Sequence, residues 1–147
     1  MKKRRLLQGV WFGLIVFYLA GCGPSLQERR ERADAQYKLG VREYSRGNFA
    51  EALKSFQEAE KHYSDDPKLR NAFGLLYFEK REFQKAIAEF RRALELDPNF
   101  FEAVNNLGTT YGYMKNWDRA IQEYRKLINE PLYRTPELAH YNLGLAL

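Results

Sequence analysis

The chain has one cysteine, Cys22, and two histidines, His62 and His140, among its 147 residues. A single thiol excludes an intramolecular disulfide, and with two distant imidazoles it supplies neither a Cys/His metal quartet nor a Cys/His nucleophilic dyad. No glycine-rich phosphate loop is present, because the glycines are scattered along the chain. A long apolar run is lacking too. The stretch Leu6 to Ala20 holds 15 residues, interrupted by Gln8, and as a helix it would span about 22 Å, short of the roughly 30 Å hydrocarbon core of a bilayer. Residues 1–21 contain no acidic residue, while Lys2, Lys3, Arg4 and Arg5 are four of the 24 basic ones. The remaining 20 face 19 Asp and Glu, so the net charge of +5 reflects the first few residues, and the rest of the chain has no electrostatic footprint for nucleic acid. The acidic pairs Asp65-Asp66 and Glu58/Glu60 fall at helix ends or on exposed faces, where carboxylates are solvated. No catalysis, metal or cofactor is expected.

What is present is enough apolar material for one core, 45% hydrophobic and 15% aromatic, at a mean hydropathy of -0.61 that argues against a mostly membrane-embedded chain. Residues 1–21 have the layout of an export signal: a basic start, an apolar middle and small residues at the end. An uncleaved signal anchor is the competing reading. Cys22 directly follows Leu19-Ala20-Gly21, and Gly23-Pro24-Ser25 after it form a turn-prone stretch that cannot pack a buried thiol. This arrangement resembles the bacterial lipobox. The resemblance implies lipidation of Cys22 and a tether held by acyl chains at about 0.8 kcal/mol per buried CH₂. Gly23, rather than Asp, after the cysteine implies sorting to the periplasmic face of the outer membrane. Residues 22–30 are then expected to be the lipidated cysteine and a linker.

Residues 31–147 repeat. Leu39-Gly40 recurs as Phe73-Gly74 and Leu107-Gly108, each 34 residues on; Ala52, Ala86 and Ala120 keep that step, as do Phe56, Phe90 and Tyr124. The pattern resembles the tetratricopeptide repeat, which implies an all-α, right-handed superhelix of antiparallel helix pairs, with units at about 33–66, 67–100 and 101–136 and a partial fourth from 137. The chemistry agrees with paired helices. Asp66-Pro67 reads as an N-cap and first-turn proline, helix A gives way near Arg81-Glu82, and helix B runs from Phe83 to Leu96 before Asp97-Pro98. Gly74 and Ala86 are small where the helices must approach closely. Gly47-Asn48 and Asn116-Trp117 mark the other turns, Asn48 to Glu51 resembles a capping box, and Glu102 takes the matching place in the third unit. Glu43 stands where Tyr77 and Tyr111 stand in later units, as suits a terminal repeat with a solvated side. Leu143-Gly144 follows Leu107-Gly108 by 36 residues, so the junction Glu130–Pro136 has gained two. Thr135-Pro136 again looks like a cap, and the helix after it stops at Leu147 on an apolar face, which is expected of a fragment or of an end covered by a partner.

Repeats of this kind present their A helices to a ligand on the concave face. By register those positions hold Asp34, Tyr37, Val41 and Tyr44, then Lys68, Asn71, Leu75 and Phe78, then Glu102, Asn105, Thr109 and Tyr113, and finally Leu138, Tyr141 and Asn142. The family's clamp for a C-terminal carboxylate needs Lys, Arg and Asn, but Tyr37, Val41, Ala72 and Glu102 occupy four of its positions. Aromatics separated by amides suit a helix or an extended apolar peptide, unless individual rings are used up in packing on the neighbouring repeat. The lipobox, the repeat and the run Pro131-Leu132-Tyr133-Arg134-Thr135-Pro136-Glu137-Leu138-Ala139 together resemble the type IV pilus biogenesis and stability lipoproteins, the pilotin group. That resemblance implies binding of secretin subunits and support of their multimerisation. A general periplasmic scaffold, serving envelope assembly or recruiting peptidoglycan enzymes, is the alternative, and an unrecognised enzyme is the weakest class.

Overall fold

A computed structural model describes residues 23–147; the leader and Cys22 lie outside the described residues. The described chain is helical throughout, with α1 Leu26–Ser45, α2 Phe49–His62, α3 Pro67–Glu79, α4 Phe83–Leu96, α5 Phe101–Tyr113, α6 Trp117–Ile128 and α7 Pro136–Ala146. Its most extensive contacts lie within the pairs α1/α2, α3/α4 and α5/α6, and each pair then abuts the next through α2/α3, α4/α5 and α6/α7. The expected antiparallel pairs are therefore the architecture, with α1, α3, α5 and α7 as A helices. Among the described residues, no helix is long and apolar enough to cross a membrane.

Local chemistry sets the helix ends. Asp66 accepts from the Lys68 backbone N–H at 2.8 Å and Pro67 occupies the first turn, as expected for α3. At α1 the expectation of a linker through residue 30 needs correcting. Ser25 Oγ accepts from Glu28 N–H and Glu28 Oε2 accepts from Ser25 N–H at 2.6 Å, a capping box that starts the helix at Leu26. The box expected at Asn48–Glu51 does not form. Asn48 Nδ2 instead donates to Glu43 Oε2 at 2.9 Å, and Glu51 pairs with Lys54. Glu43 thus closes the first turn, also accepting from Arg46, and these partners hold its carboxyl below the usual range, the Asn48 hydrogen bond first.

All three A-to-B turns share one geometry. Gly47 (φ 79°), Arg81 (φ 59°) and Lys115 (φ 59°) are left-handed. In each, that residue's N–H reaches back three residues and the next N–H reaches back five, as in Asn48 to Glu43, Glu82 to Tyr77 and Asn116 to Tyr111. This is the Schellman closure, in which glycine is the unstrained choice.

Two apolar clusters fill the array. One joins Ala33, Phe56, Leu69 and Phe73 across α1–α3, the other joins Ile87, Phe90, Leu107 and Leu127 across α4–α7, and half-buried Tyr77 touches both. Each helix pair is clamped at a glycine. A Cβ on Gly40, Gly74 or Gly108 would lie only 2.4, 2.4 and 2.5 Å from the rings of Phe56, Phe90 and Tyr124 respectively, closer than real Cβ contacts. Arg70, only 2% exposed, holds the first junction: its guanidinium donates to the Ser64 carbonyl at 2.9 Å, pairs with Glu60 on α2 at 2.7 Å and lies 3.5 Å from Glu89 on α4. Such a buried cation needs its partners, because an uncompensated charge in a dry interior costs several kcal/mol.

Gly74→Ala is expected to lower stability by about 1–3 kcal/mol through overpacking against Phe90. Gly144→Ala, where nothing lies within 4 Å, should leave it unchanged or slightly raised. Thermal melts followed by circular dichroism distinguish the two, and equal melting temperatures for Gly74→Ala and the parent would refute the clamp. Arg81→Gly relieves a left-handed non-glycine residue and is expected to stabilise by about 1 kcal/mol, read as a higher Tm in the same melts.

Candidate functional site: the face of the A helices

The A-helix positions read from the sequence divide into two groups. Val41, Tyr113 and Tyr141 are open to solvent, the two tyrosines 63% and 65% exposed. Tyr37, Leu75, Phe78, Asn105 and Thr109 are half-buried, with one side on the groove and one on a neighbour. Tyr44 and Asn71 serve the frame more than the groove. The Tyr44 hydroxyl donates to Glu79 Oε1 of the next A helix at 3.2 Å, and its ring packs on Phe49. Burial first, then the Glu79 charge and hydrogen bond, push its pKa up to about 12. Asn71 is buried, and its Oδ1 accepts from Asn106 Nδ2 at 2.9 Å.

That amide pair recurs one unit later, where Asn142 Nδ2 donates to Asn105 Oδ1 at 3.0 Å. In both cases the fifth residue of one unit meets the sixth of the next, so α3, α5 and α7 are tied in register along the groove. Asn106 is absent from the positions singled out in the sequence, yet the spacing of 35 and 37 residues between paired asparagines was the available signal. Tyr133 is a second omission. The two-residue insertion carries it over Phe101, ring to ring at 5.9 Å, and it lines a hollow of about 260 Å³ with Leu75, Glu102, Asn105 and Leu138.

The first half of the face carries charges of both signs, with Lys38 paired to Asp34 at 2.6 Å and Lys68 exposed. Burial raises the Tyr37 pKa, and the charges of Asp66, Glu102 and Asp34 raise it further, in that order. The second half is aromatic: Phe78 packs edge-on against Tyr113 at 4.9 Å and on Phe83 at 5.7 Å, and beyond them a neutral hollow of about 410 Å³ opens between α5, α6 and α7. His62 lies on α2 near Glu58 and His140 is exposed on α7, so the chain does not bring its histidines together. Among the described residues, no group of three or more His, Cys, Asp or Glu could hold a metal ion. The arrangement offers apolar rings and amides to an extended or helical protein segment, with its rings set on a rigid backbone.

The comparisons agree on this architecture. The photosystem I assembly protein Ycf3 of Synechococcus sp. (strain CC9605) is 29% identical over 101 residues, which cover 67% of this chain and 57% of that protein. Among solved structures, PilF of Pseudomonas aeruginosa superposes with a TM-score of 0.74 at 26% identity over 80% of this chain and 53% of its own. PilW, a widely conserved type IV pilus biogenesis factor, gives 0.71 at 23% over 78% and 52%. The first repeat domain of Spaghetti (RPAP3), bound to the HSP90 peptide SRMEEVD, gives 0.71 at 18% over 80% and 91%, a likeness of fold. The chain thus spans little more than half the length of the Ycf3 relative and of both pilus factors. Proteins of this repeat are generally non-catalytic scaffolds that bind protein partners. With tetratricopeptide-repeat profiles matching residues 26–67, 37–100 and 89–122, the chain belongs to the tetratricopeptide repeat family.

Proposed function

We propose that this scaffold is a lipoprotein, anchored through Cys22 at the periplasmic face of the outer membrane, that assists type IV pilus biogenesis by promoting secretin assembly. The observation that carries the reading is the likeness to PilF, which joins a shared fold to 26% identity. The lipobox resemblance at Leu19–Cys22 and the Pro131–Ala139 junction support it from the sequence side. In this reading the exposed tyrosines of α5 and α7 take an apolar segment of the secretin subunit, the amide pairs keep the A helices in register, and the lipid tether holds the face where secretins insert. A second reading, a general envelope-assembly scaffold, draws on the likeness to a protein named for assembling photosystem I.

Cys22→Ser is expected to leave the repeats folded and to abolish membrane attachment, because a hydroxyl supplies no thioether for the acyl group. Incorporation of labelled palmitate, or unchanged fractionation with membranes, would contradict it. Tyr113→Ala combined with Tyr141→Ala is expected to weaken secretin capture by about 2 kcal/mol or more without a loss of helicity, since both rings are exposed and a central aromatic anchor typically carries that much. The check is a deletion strain expressing the double variant, with heat-resistant secretin multimers compared on gels and folding confirmed by circular dichroism. Normal multimers and pili in the deletion strain itself would remove the pilus role and leave the general scaffold. A variant that restores both would move the binding site off this face.

A further inference from the structure

By register Asp34, Lys68, Glu102 and Leu138 take the same place in successive units. Asp34 is neutralised on its own helix by Lys38, four residues on, at 2.6 Å. Glu102 is not: Asn105 and Asn106 stand three and four residues after it, and among the described residues its carboxylate enters no ion pair. It is also the one charged residue in the wall of the hollow of about 260 Å³ between α3, α5 and the start of α7. The rest of that wall is the apolar surface of Leu75, Tyr133 and Leu138 and a set of neutral polar groups. Lys68 and Arg134 are exposed and do not line it. Tyr133 reaches the hollow from the connection that is two residues longer than its counterparts, and its ring is braced edge-on against Phe101 at 5.9 Å. The hollow is thus apolar on two sides and carries a single negative charge that the chain itself leaves without a counter-ion.

We infer that this hollow takes a lysine or arginine side chain of the partner segment, its stem laid on Leu75, Tyr133 and Leu138 and its cation against the Glu102 carboxylate. The inference rests on the reading that this face holds a protein segment. Three features select the occupant. An acidic side chain would meet Glu102 as a like charge, and a purely aliphatic one would strip water from that carboxylate without replacing the lost hydrogen bonds. A basic side chain supplies both halves of what the wall asks for, an apolar stem and a charged end, and the Tyr133 ring adds a π face for the cation. The amides serve the backbone that carries it. Asn71 and Asn105 accept through Oδ1 from Asn106 and Asn142 at 2.9 and 3.0 Å, so their Nδ2 protons stay available to carbonyls of the incoming segment. The volume lies just below the range of whole small-molecule sites and suits one long side chain.

The test uses the full chain, labelled with ¹⁵N, and acetylated, amidated heptapeptides of Ala and Ser that carry arginine, citrulline or norleucine at the centre. Citrulline keeps the shape of arginine without its charge. Binding is read from the side-chain amide signals of Asn71 and Asn105 in proton–nitrogen correlation spectra. The expected result is a shift of those signals with the arginine peptide and about fivefold weaker binding of the other two at low ionic strength. That difference should shrink as salt is raised to about 0.5 M. Glu102→Gln is expected to keep the Tm and to bind the arginine and citrulline peptides equally. Tyr133→Ala removes part of the wall and should weaken the arginine peptide by about threefold or more. Should it lower the Tm, Leu138→Ser, at a position 46% exposed, tests the same wall. Equal affinity of the parent for the arginine and citrulline peptides, no response to the arginine peptide, or a preference for arginine that persists in Glu102→Gln would overturn the inference. Tighter binding of the norleucine peptide would assign the hollow to an apolar side chain, and the same shifts without peptide, with a dimer in sedimentation, would assign it to a second copy; either overturns it. Secretin capture that survives Glu102→Gln but is lost with the Tyr113→Ala and Tyr141→Ala pair would remove the hollow while leaving the groove, whereas loss with neither removes both.

Discussion

The contact between a glycine in each A helix and an aromatic ring in the B helix beside it is the constraint on which the array depends. Gly40, Gly74 and Gly108 leave room for Phe56, Phe90 and Tyr124, and nothing larger than hydrogen fits. With the ring laid against bare backbone, the two helices approach closely enough for Ala52, Ala86 and Ala120 to be fully buried between them. The same spacing aims the remaining faces of the A helix: one toward the preceding B helix, the other outward onto the groove. An exposed ring such as Tyr113 therefore inherits its position from a contact on the far side of its helix.

Stacking the pairs calls on a different chemistry at each junction. The first uses the buried Arg70 cation, a carbonyl and two carboxylates, together with the Tyr44–Glu79 hydrogen bond. Val104 occupies the place of Arg70 one unit later and is buried, and there the Asn106–Asn71 amide bond and the Phe78–Tyr113 ring contact take over. The third junction keeps the amide bond and adds Tyr133 on Phe101. Buried polar contacts are directional in a way that apolar burial is not, so each junction admits its own neighbour in one register. In a protein whose units share one glycine-and-ring code, this variety distinguishes correct stacking from a slipped one.

The unit length, the helix pairs and the identity of the A helices were legible in the sequence because they rest on one-dimensional repetition: Leu-Gly, Ala and an aromatic at a step of 34. The glycine-and-ring pairing was half legible. Gly74 and Ala86 read as small residues at a close approach, but the ring that fills the space comes from 16 residues further on, and only the fold names it. Asn71 read as a groove amide; it lines the hollow beside Leu75 and is also a buried joint to Asn106, a second role the sequence does not reveal because Asn can face a ligand or a neighbour. Arg70 escaped notice for the opposite reason: arginine defaults to solvent, and its partners Ser64, Glu60 and Glu89 are scattered over two helices and a loop. The capping box at Ser25–Glu28 lies directly after Gly23-Pro24, whose turn signal masks the start of the helix.

Electrostatics and apolar area are divided along the groove in a way that orders how a partner could lie. The carboxylates of Asp66, Glu102 and Asp34 act on Tyr37 at one end, Asp34 paired with Lys38 at 2.6 Å, and the neutral hollow beside Trp117 lies at the other. Charge at the first end acts over about a Debye length, whereas contact at the aromatic end requires desolvation. Burial and three nearby carboxylates keep the Tyr37 phenol protonated and therefore a donor over the range in which those carboxylates are ionised. Charged groups thus gather at the start of the array, and neutral rings at its end.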